Sequence, residues 1–245
     1  MPSYYQLDTS EEFQSELKET LADMISPVTV DVFIGPNCET CDDTVLLLKM
    51  MEQASPRDEN GEPKLKVRIF DKSVEEHRKE FERQGVERVP TVTLIDGYIR
   101  YTGIPAGEEI RGLIETILRI SEGESGLNKS TGEILASLKG KVYIETIVTP
   151  SCPYCPYAVL LANMLAYEAY KRGNPKVISD TVEAYENPDI ADKYGVTSVP
   201  AIALNGRLVF VGVPYEEDFI DYVKAASEGK LDDLLFKEFG GETGL

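Results

Sequence analysis

The chain carries its four cysteines as two Cys-x-x-Cys pairs, one in each half of the sequence. The pairs are Cys38–Cys41 and Cys152–Cys155, and each follows an apolar run. About fifty residues after each pair comes a second shared signature, Gly-Val-x-x-Val-Pro, which ends at Pro90 in the first half and at Pro200 in the second. The same two signals in the same order, once per half, indicate an internal duplication of one folding unit.

The length of the chain agrees with this duplication. Its 245 residues would fill two domains of roughly 120 residues each, which is a common domain size. We expect a first domain at 1–122 and a second at 123–245, linked by the Gly-Glu-Ser-Gly segment 123–126. Hydrophobic residues make up 42% of the chain, which is enough for two folded cores and excludes global disorder.

The net charge of −18 restricts the partners that the protein can bind. Non-specific affinity for nucleic acid comes from neutralising phosphates, so an acidic chain without a long basic run is a poor nucleic-acid binder. No run of about eighteen apolar residues predicts a membrane-spanning helix. The N-terminus lacks the basic and apolar stretches of a secretory signal, so we expect a cytoplasmic protein. Its Glu and Lys content without Trp is typical of a thermophile.

Apolar periodicity predicts the same order of elements in each half: helix, strand, helix, strand, helix, strand, strand, helix. The last two strands of each half flank a tight-turn dipeptide, Asp96-Gly97 or Asn205-Gly206, which is typical of a β-hairpin. Helical crossovers give parallel strand pairs, and the hairpin adds an antiparallel pair. The prediction is an α/β fold of two tandem units, each a mixed central sheet covered by helices on both faces. An acidic tail to Leu245 is expected after the second unit.

Two such units, each with a Cys-x-x-Cys pair and a Val-Pro, resemble the protein disulfide oxidoreductases of hyperthermophiles. That family is glutaredoxin-like, consists of two fused thioredoxin-fold units and is related to protein disulfide isomerase. The segment Cys152-Pro153-Tyr154-Cys155 is also similar to the glutaredoxin active site. The resemblance implies two thioredoxin-like units and a dithiol–disulfide oxidoreductase that reduces, forms or isomerises disulfides in protein substrates. It implies no cofactor other than the redox-active disulfides Cys38–Cys41 and Cys152–Cys155.

A dithiol oxidoreductase also needs a redox partner, and we expect a thioredoxin-reductase-like flavoprotein as the reductant. Within the same chemistry, an alternative function is a dedicated electron carrier to a peroxidase, with a peroxiredoxin as partner. Two alternatives come from other classes of protein, a non-catalytic metal-binding module and a non-catalytic chaperone or scaffold.

The cysteine spacing itself favours redox chemistry. We expect Cys38 and Cys152 at the beginning of helices, where free backbone N–H groups and the helix dipole stabilise a thiolate. Such sites lower a cysteine pKa from about 8.5 to between roughly 3.5 and 7.5. The thiolate attacks a substrate disulfide, and Cys41 or Cys155, one turn further along, then resolves the mixed disulfide.

Two other roles for these cysteines are disfavoured by their positions. A purely structural bridge between residues i and i+3 closes a loop of about four residues and would stabilise the fold by only about 2 kcal/mol. A zinc ribbon brings two Cys-x-x-Cys pairs together across about 15–20 residues, whereas a whole domain separates the pairs of this chain. We therefore expect no metal site.

In the resembled family the proline of the second signature is cis and lies against the disulfide. The resemblance therefore implies cis bonds at Pro90 and Pro200. In that family the cis geometry also exposes the backbone of the residue before the proline. The resemblance therefore implies that Val89 and Val199 can pair with an extended substrate segment. Tyr154, between the cysteines of the second pair, is expected to shape the substrate groove.

Asp31 and Glu145 are acids in strands where the neighbouring residues are apolar. Thioredoxins and disulfide isomerases have a buried acid six residues before the first cysteine, which relays a proton to or from the second thiol. Here the offset is seven in both units. The resemblance suggests a proton relay, and the alternative is a surface-reaching acid paired with a lysine. His77 lies on a charged helical face and is expected to be solvated.

The two sites are not expected to be equivalent. Three carboxylates surround the first pair, those of Glu39, Asp42 and Asp43, and their negative charge disfavours a thiolate on Cys38. The second pair encloses the neutral Pro153 and Tyr154, with Pro153 suited to the first helical turn. We therefore expect Cys152–Cys155 to be the more oxidising pair and Cys38–Cys41 the more reducing one.

Overall fold

A computed structural model of the protein describes residues 6–239, with side chains to 237. The first unit contains the predicted order of elements. These are α1 (Glu11–Leu21), β1 (Val28–Ile34), α2 (Cys41–Ala54), β2 (Leu65–Asp71), α3 (Arg78–Gln84), β3 (Thr91–Leu94), β4 (Ile99–Thr102) and α4 (Glu109–Glu122).

The second unit repeats this order and adds one helix. Its elements are α5 (Lys129–Ala136), β5 (Val142–Val148), α6 (Cys155–Lys171), β6 (Val177–Glu183), α7 (Pro188–Lys193), β7 (Ala201–Leu204), β8 (Arg207–Val211), α8 (Glu216–Ser227) and α9 (Leu231–Phe239). Part of the segment predicted as an acidic tail is instead the helix α9, so that prediction is wrong there. In α9, Leu231, Leu234 and Leu235 recur at helical spacing, and Leu231 is buried. Residues 240–245 of that tail lie outside the described part of the chain.

The strands of the two units form a single sheet. Across the described residues it has eight strands in the order β2-β1-β3-β4-β6-β5-β7-β8. Within each unit one pair is parallel and two pairs are antiparallel, which confirms the predicted mixed sheet. The antiparallel pairs β1–β3 and β5–β7 were not predicted, since only the hairpin was expected to pair in this direction. A parallel pairing of β4 with β6 joins the units, in register from Ile99 with Ser179 to Thr102 with Val182. This junction was not expected from the sequence.

Buried polar side chains hold the junction together. Thr102 donates a hydrogen bond of 2.8 Å to the buried carboxylate of Asp180, across the β4–β6 pair. Behind the strands, the amide of Asn163 on α6 donates to the Tyr101 hydroxyl at 2.9 Å and accepts from the Ser179 hydroxyl at 2.7 Å. The two units therefore share a satisfied polar network as well as a sheet.

The main hydrophobic core lies on one face of the sheet. It includes residues of α1, α2, α4, α5, α6 and α8 and the inward side chains of the strands. The opposite face of the first unit is covered by α3 through a smaller cluster of Phe33, Phe81 and Val86. Because strand side chains alternate in direction, Val32 faces the main core while Asp31 and Phe33 face the other side. The prediction of helices on both faces is confirmed.

The junction places both cysteine motifs at the same edge of the sheet. β1 is antiparallel to β3, β3 to β4, and β4 is parallel to β6 and β6 to β5, so β1 and β5 run in the same direction. Each motif follows the carboxyl end of one of these strands. Four strand steps of about 4.8 Å separate β1 from β5, which puts the motifs about 19 Å apart.

None of the helices between residues 6 and 239 combines the length and apolar character that crossing a membrane requires.

Candidate active sites

Each Cys-x-x-Cys motif occupies the turn between a strand and a helix. The sulfurs are bonded within each motif, Cys38 to Cys41 and Cys152 to Cys155. The helices begin at the second cysteine of each pair, with Thr40 and Tyr154 as the preceding cap residues. The predicted helix start at the first cysteine is therefore wrong. Each helix begins three residues later, because its N-cap residue lies inside the motif.

The two cysteines of each pair differ in burial. Cys38 is partly exposed while Cys41 is 5% exposed, so the first cysteine is the more accessible to a substrate. In the second motif both are largely covered, with Cys152 at 7% and Cys155 at 0%. The backbone N–H of Cys155 donates a hydrogen bond of 3.1 Å to Sγ of Cys152. A donor at this position stabilises a thiolate on Cys152.

Pro156, and not Pro153 as predicted, lies in the first turn of α6. This shift follows from the later helix start. Pro153 and Pro156 instead line an apolar cleft of about 550 Å³ beside the motif, between α1, α4 and α6. Tyr154 and Tyr157 are exposed next to it. The cleft also contains the charged residues Glu16, Glu108, Arg111 and Glu115. Beside the first motif, Glu39 and Asp42 are exposed carboxylates.

Both predicted cis peptide bonds are confirmed, Val89–Pro90 and Val199–Pro200. Each proline precedes a strand that pairs with the strand before the motif, so it lies at the edge of the sheet where that motif lies. The loop after the final strand of each hairpin contacts the proline. Gly103 donates its N–H to the Pro90 carbonyl at 2.9 Å, and Gly212 donates to the Pro200 carbonyl at 2.7 Å. Motif, cis-proline and this loop recur together in both units.

Asp31 lies on the face of the sheet opposite to the main core. Its buried carboxylate accepts hydrogen bonds from the Arg68 guanidinium at 2.6 and 2.7 Å and from the Gln84 amide at 2.6 Å. Val32, six residues before Cys38, faces the core that α2 covers. An offset of seven instead of six therefore turns the acid away from the helix that carries the second cysteine. Its partners are an arginine and a glutamine, and not a lysine.

Glu145 has the corresponding place in the second unit. The neighbouring Ile144 belongs to the main core, and Glu145 is directed to the other face. Its carboxylate accepts a short hydrogen bond from the Tyr194 hydroxyl and lies 3.8 Å from Nζ of Lys193. Glu145 is thus a largely buried acid with a tyrosine and a lysine as partners.

His77 differs from its expected solvated state. It is half-buried, its Nδ1 accepts a hydrogen bond of 2.8 Å from the backbone N–H of Asp71, and its ring packs edge-on against Phe70. His77 therefore fastens the end of β2.

Glu109 is a candidate functional residue that sequence reasoning missed. It is the first residue of α4, in the first unit, and is 1% exposed. Within the described chain, neither of its carboxylate oxygens has a hydrogen-bond partner. Burial, with a smaller contribution from the charge of Glu108, raises the pKa of Glu109 to about 8. An acid with this pKa exchanges protons near neutral pH.

Glu109 lies beside the second motif. A Cβ placed on Gly112 would lie 3.6 Å from Oε2 of Glu109 and 3.5 Å from Cα of Pro156, so these two atoms flank the same glycine. The neighbouring Glu108 donates its N–H to the Pro150 carbonyl at 2.9 Å, which fixes the start of α4 against the turn before Cys152. In the sequence, Glu108-Glu109 has the pattern of ordinary first-turn acids, so only the junction of the units reveals this placement.

Among the side chains that the structure describes, no group of three or more His, Cys, Asp or Glu residues is arranged to hold a metal ion.

Comparison with known proteins gives one family match and several similar proteins. The thioredoxin domain family matches residues 28–115 and 143–224. The crystal structure of a protein disulfide oxidoreductase from Aeropyrum pernix K1 is 62% identical, with a TM-score of 0.90, and the match covers 93% of this chain and 97% of that one. A probable thioredoxin of Methanothermobacter thermautotrophicus is 34% identical over 87 residues, which are 36% of this chain and 98% of the relative.

The alkyl hydroperoxide reductase AhpF has a similar fold. The structure of a C503A mutant of this protein from Enterococcus faecalis is 23% identical with a TM-score of 0.72, covering 86% of this chain and 97% of that one. An alkyl hydroperoxide reductase sequence of Pseudomonas putida is 28% identical over 110 residues, which are 45% of this chain and 20% of the relative.

Proposed function

Because the chain belongs to the protein disulfide oxidoreductases of the thioredoxin-domain family, we propose that both of its cysteine pairs exchange disulfides with protein substrates. One observation carries this proposal. Each pair forms a disulfide at a strand-to-helix turn, with a cis-proline at the same edge of the sheet. That arrangement presents a reactive disulfide beside backbone that can pair with an extended chain.

The nucleophiles in this proposal are Cys38 and Cys152. In the reducing direction, the Cys152 thiolate attacks one sulfur of a substrate disulfide, forms a mixed disulfide and releases the other substrate sulfur as a thiolate. Cys155, after losing its proton, attacks Sγ of Cys152 and releases the second substrate thiolate. The enzyme pair is oxidised by two electrons and the substrate disulfide is reduced by two. Cys38 and Cys41 perform the same steps at the first site, and the reverse sequence donates a disulfide.

Proton transfer at the second site is assigned to Glu109. The resolving thiol must lose its proton in a site from which solvent is excluded, since Cys155 is fully buried. Glu109 is a buried acid with a pKa of about 8 and no competing hydrogen-bond partner among the described residues. Its Oε2 lies within about 7 Å of the Cα of Pro156, the residue after Cys155, and we take it as the acceptor of that proton.

The remaining predicted site residues keep separate proposed roles. Val89 and Val199 present backbone to the substrate beside Pro90 and Pro200, and Tyr154 forms part of the exposed rim of the second site. For Asp31 and Glu145, the observed partners support a structural role in each unit more than a proton relay, because both carboxylates point away from the helices that carry the second cysteines.

The wider setting of the reaction also remains a proposal. We place the domain boundary in the segment between α4 and α5 and the protein in the cytoplasm. A thioredoxin-reductase-like flavoprotein would return electrons to the pairs. A second function, electron transfer to a peroxiredoxin, is favoured by the similarity of fold to the alkyl hydroperoxide reductase AhpF. Peroxide consumption in a mixture with such a peroxidase would test it.

Trapping separates the nucleophile from the resolving cysteine. We expect Cys155→Ser to capture a disulfide-containing protein substrate as a stable mixed disulfide, because Cys152 can still attack and nothing resolves the product. Cys152→Ser should capture none and should abolish insulin reduction at the second site, measured with Cys38 and Cys41 both replaced by Ser. Capture of the substrate by Cys152→Ser but not by Cys155→Ser would reverse the assigned roles of the two cysteines.

A further inference from the structure

The first motif contacts the second unit through Thr40, the second of the two residues between its cysteines. The Thr40 hydroxyl donates a hydrogen bond of 2.6 Å to Oε2 of Glu186, which lies in the loop between β6 and α7. The other oxygen of the same carboxylate, Oε1, accepts from the backbone N–H of Ile104 at 2.9 Å. One carboxylate of the second unit therefore ties the first motif to the loop after β4.

The loop after β4 in turn contacts the cis-proline. Gly103, directly before Ile104, donates its N–H to the Pro90 carbonyl at 2.9 Å. Gly103 has a φ of +96°, and a Cβ on it would lie 2.7 Å from Cβ of Glu183, so only glycine permits this approach of the second unit. Glu186 thus fixes the turn of the first motif relative to the loop after β4, which itself contacts the cis-proline.

We propose that Glu186 is a positioning residue of the first site, through which the second unit sets the redox balance of the Cys38–Cys41 pair. This inference rests on the proposed function, since it takes Cys38 as the nucleophile. The hydrogen bond to Thr40 fixes the turn between the cysteines. The charge of the same carboxylate disfavours a thiolate on Cys38 and therefore disfavours the reduced pair.

Among the residues that the structure describes, no side-chain hydrogen bond of this kind reaches the matching residue of the second motif. Tyr154 corresponds to Thr40, and its side chain is 67% exposed. The contact that the first unit makes there is the backbone hydrogen bond from Glu108 to the Pro150 carbonyl. Glu186 is therefore an inter-unit cause of inequality between the sites, in addition to the carboxylates beside the first motif.

The test compares both pairs within one full-length chain. Glu186→Gln keeps the shape of the side chain and one acceptor but removes the charge. Each variant is equilibrated with reduced and oxidised glutathione, thiols are alkylated, and the two tryptic peptides that carry the pairs, 19–49 and 142–171, are quantified by mass spectrometry. We expect Glu186→Gln to shift the Cys38–Cys41 equilibrium about three- to tenfold towards the reduced form. The Cys152–Cys155 equilibrium should stay within about twofold.

Thr40→Val and a control variant complete the design. If the carboxylate acts through Thr40, the effects of Thr40→Val and Glu186→Gln should not add in the double variant. Glu75→Gln removes the same charge from the loop after β2, where Glu75 pairs with Arg78 at 2.8 Å, and should shift neither pair. An unshifted first pair in Glu186→Gln, or equal shifts in both pairs, would overturn the inference. A first pair of the unmodified protein that exchanges disulfides neither with glutathione nor with a protein substrate such as insulin would instead contradict the proposed function.

Discussion

Glu109 is the residue whose chemistry is least visible in the sequence and most dependent on the fold. If it accepts the proton of Cys155, Glu109→Gln should slow turnover at the second site by about tenfold or more, because a positioned base contributes at least that much. The loss should be greatest near neutral pH and smaller at high pH, where the thiol ionises without help. Insulin reduction as a function of pH, with the first pair replaced by Ser, measures it.

Asp31→Asn and Glu145→Gln are the matched comparisons for that experiment. Their carboxylates are bonded to Arg68 and to Tyr194 on the far face of the sheet, so we expect lower stability and near-normal rates. A larger rate loss in Glu145→Gln than in Glu109→Gln would assign the relay to the predicted acid after all.

The raised pKa of Glu109 also makes a stability prediction. Below a pH of about 4.5 the carboxyl is protonated in both the folded and unfolded protein. As the pH rises towards 8 the unfolded chain loses this proton while the folded protein keeps it, since the pKa of Glu109 is about 8. The wild type should therefore lose stability relative to Glu109→Gln by up to about 1.4 kcal/mol per pH unit. Guanidinium unfolding of both proteins at several pH values checks this, and parallel curves would contradict it.

At the residue scale the sequence predicted both cysteine pairs and both cis-prolines, because each is tied to a local motif. It placed the acids by analogy with an offset of six, and the extra residue moved them to the other face. Glu109 and Glu186 could not be found in this way. The residues that they approach lie in the other unit, Pro156 for Glu109 and Thr40 for Glu186, and nothing local in the sequence specifies these positions.

At the scale of elements, the start of α4 shows how closely one unit approaches the other. Gly107 has a φ of +62°, and a Cβ on it would lie 2.3 Å from the carbonyl oxygen of Pro150, two residues before Cys152. A substitution there would push α4 away from the turn, and with it Glu109.

We therefore expect Gly107→Ala to cost more than the roughly 1–2 kcal/mol of left-handed strain alone and to reduce activity at the second site. Gly123→Ala is the matched control, because Gly123 has a φ of +79° but no atom within 4 Å of its Cβ position. Chemical unfolding and second-site turnover of both variants would be compared. If Gly107→Ala and Gly123→Ala lose equal stability and Gly107→Ala keeps full activity, the close approach of Gly107 to Pro150 does not affect function.

Elements with a clear period were predicted well, and their limits were predicted less well. The strands β1, β5 and β6 are rich in β-branched residues, and the hairpins follow from Asp96-Gly97 and Asn205-Gly206. The helices α2 and α6 start later than expected because three residues of each motif form a turn. The helix α9 was missed since the acidic residues around Leu231 outweighed its apolar spacing.

For the whole molecule, the β4–β6 junction predicts that the two units unfold together. Asn163 lies at the centre of this junction, and its loss would leave the hydroxyls of Tyr101 and Ser179 without their partner. We expect Asn163→Ala to destabilise the entire chain by about 2–4 kcal/mol. Hydrogen exchange should show the same loss of protection in peptides of β1 and of β7. A loss confined to the second unit would show that the units unfold independently.

The junction was not predictable from the sequence, although its strands were. Ile99 and Tyr101 in β4 are buried on the core side, and this alternation is equally consistent with an edge strand. Parallel pairing between units leaves no local turn signal of the kind that marks a hairpin. Side-chain hydrogen bonds that cross the junction, from Thr102 to Asp180 and from Asn163 to Tyr101, distinguish it, and they do so only in three dimensions.

The common edge of the sheet has a consequence for how substrates are handled. Sulfurs about 19 Å apart cannot touch, so electrons pass between the two pairs only through a third molecule. An extended polypeptide advances about 3.3 Å per residue, so cysteines about six residues apart would span that gap. Once such a chain is captured at one pair, the other pair meets its second cysteine at an effective concentration in the millimolar range. Proteins with closely spaced cysteines would then be processed as bivalent ligands, at rates set by tether length instead of by protein concentration.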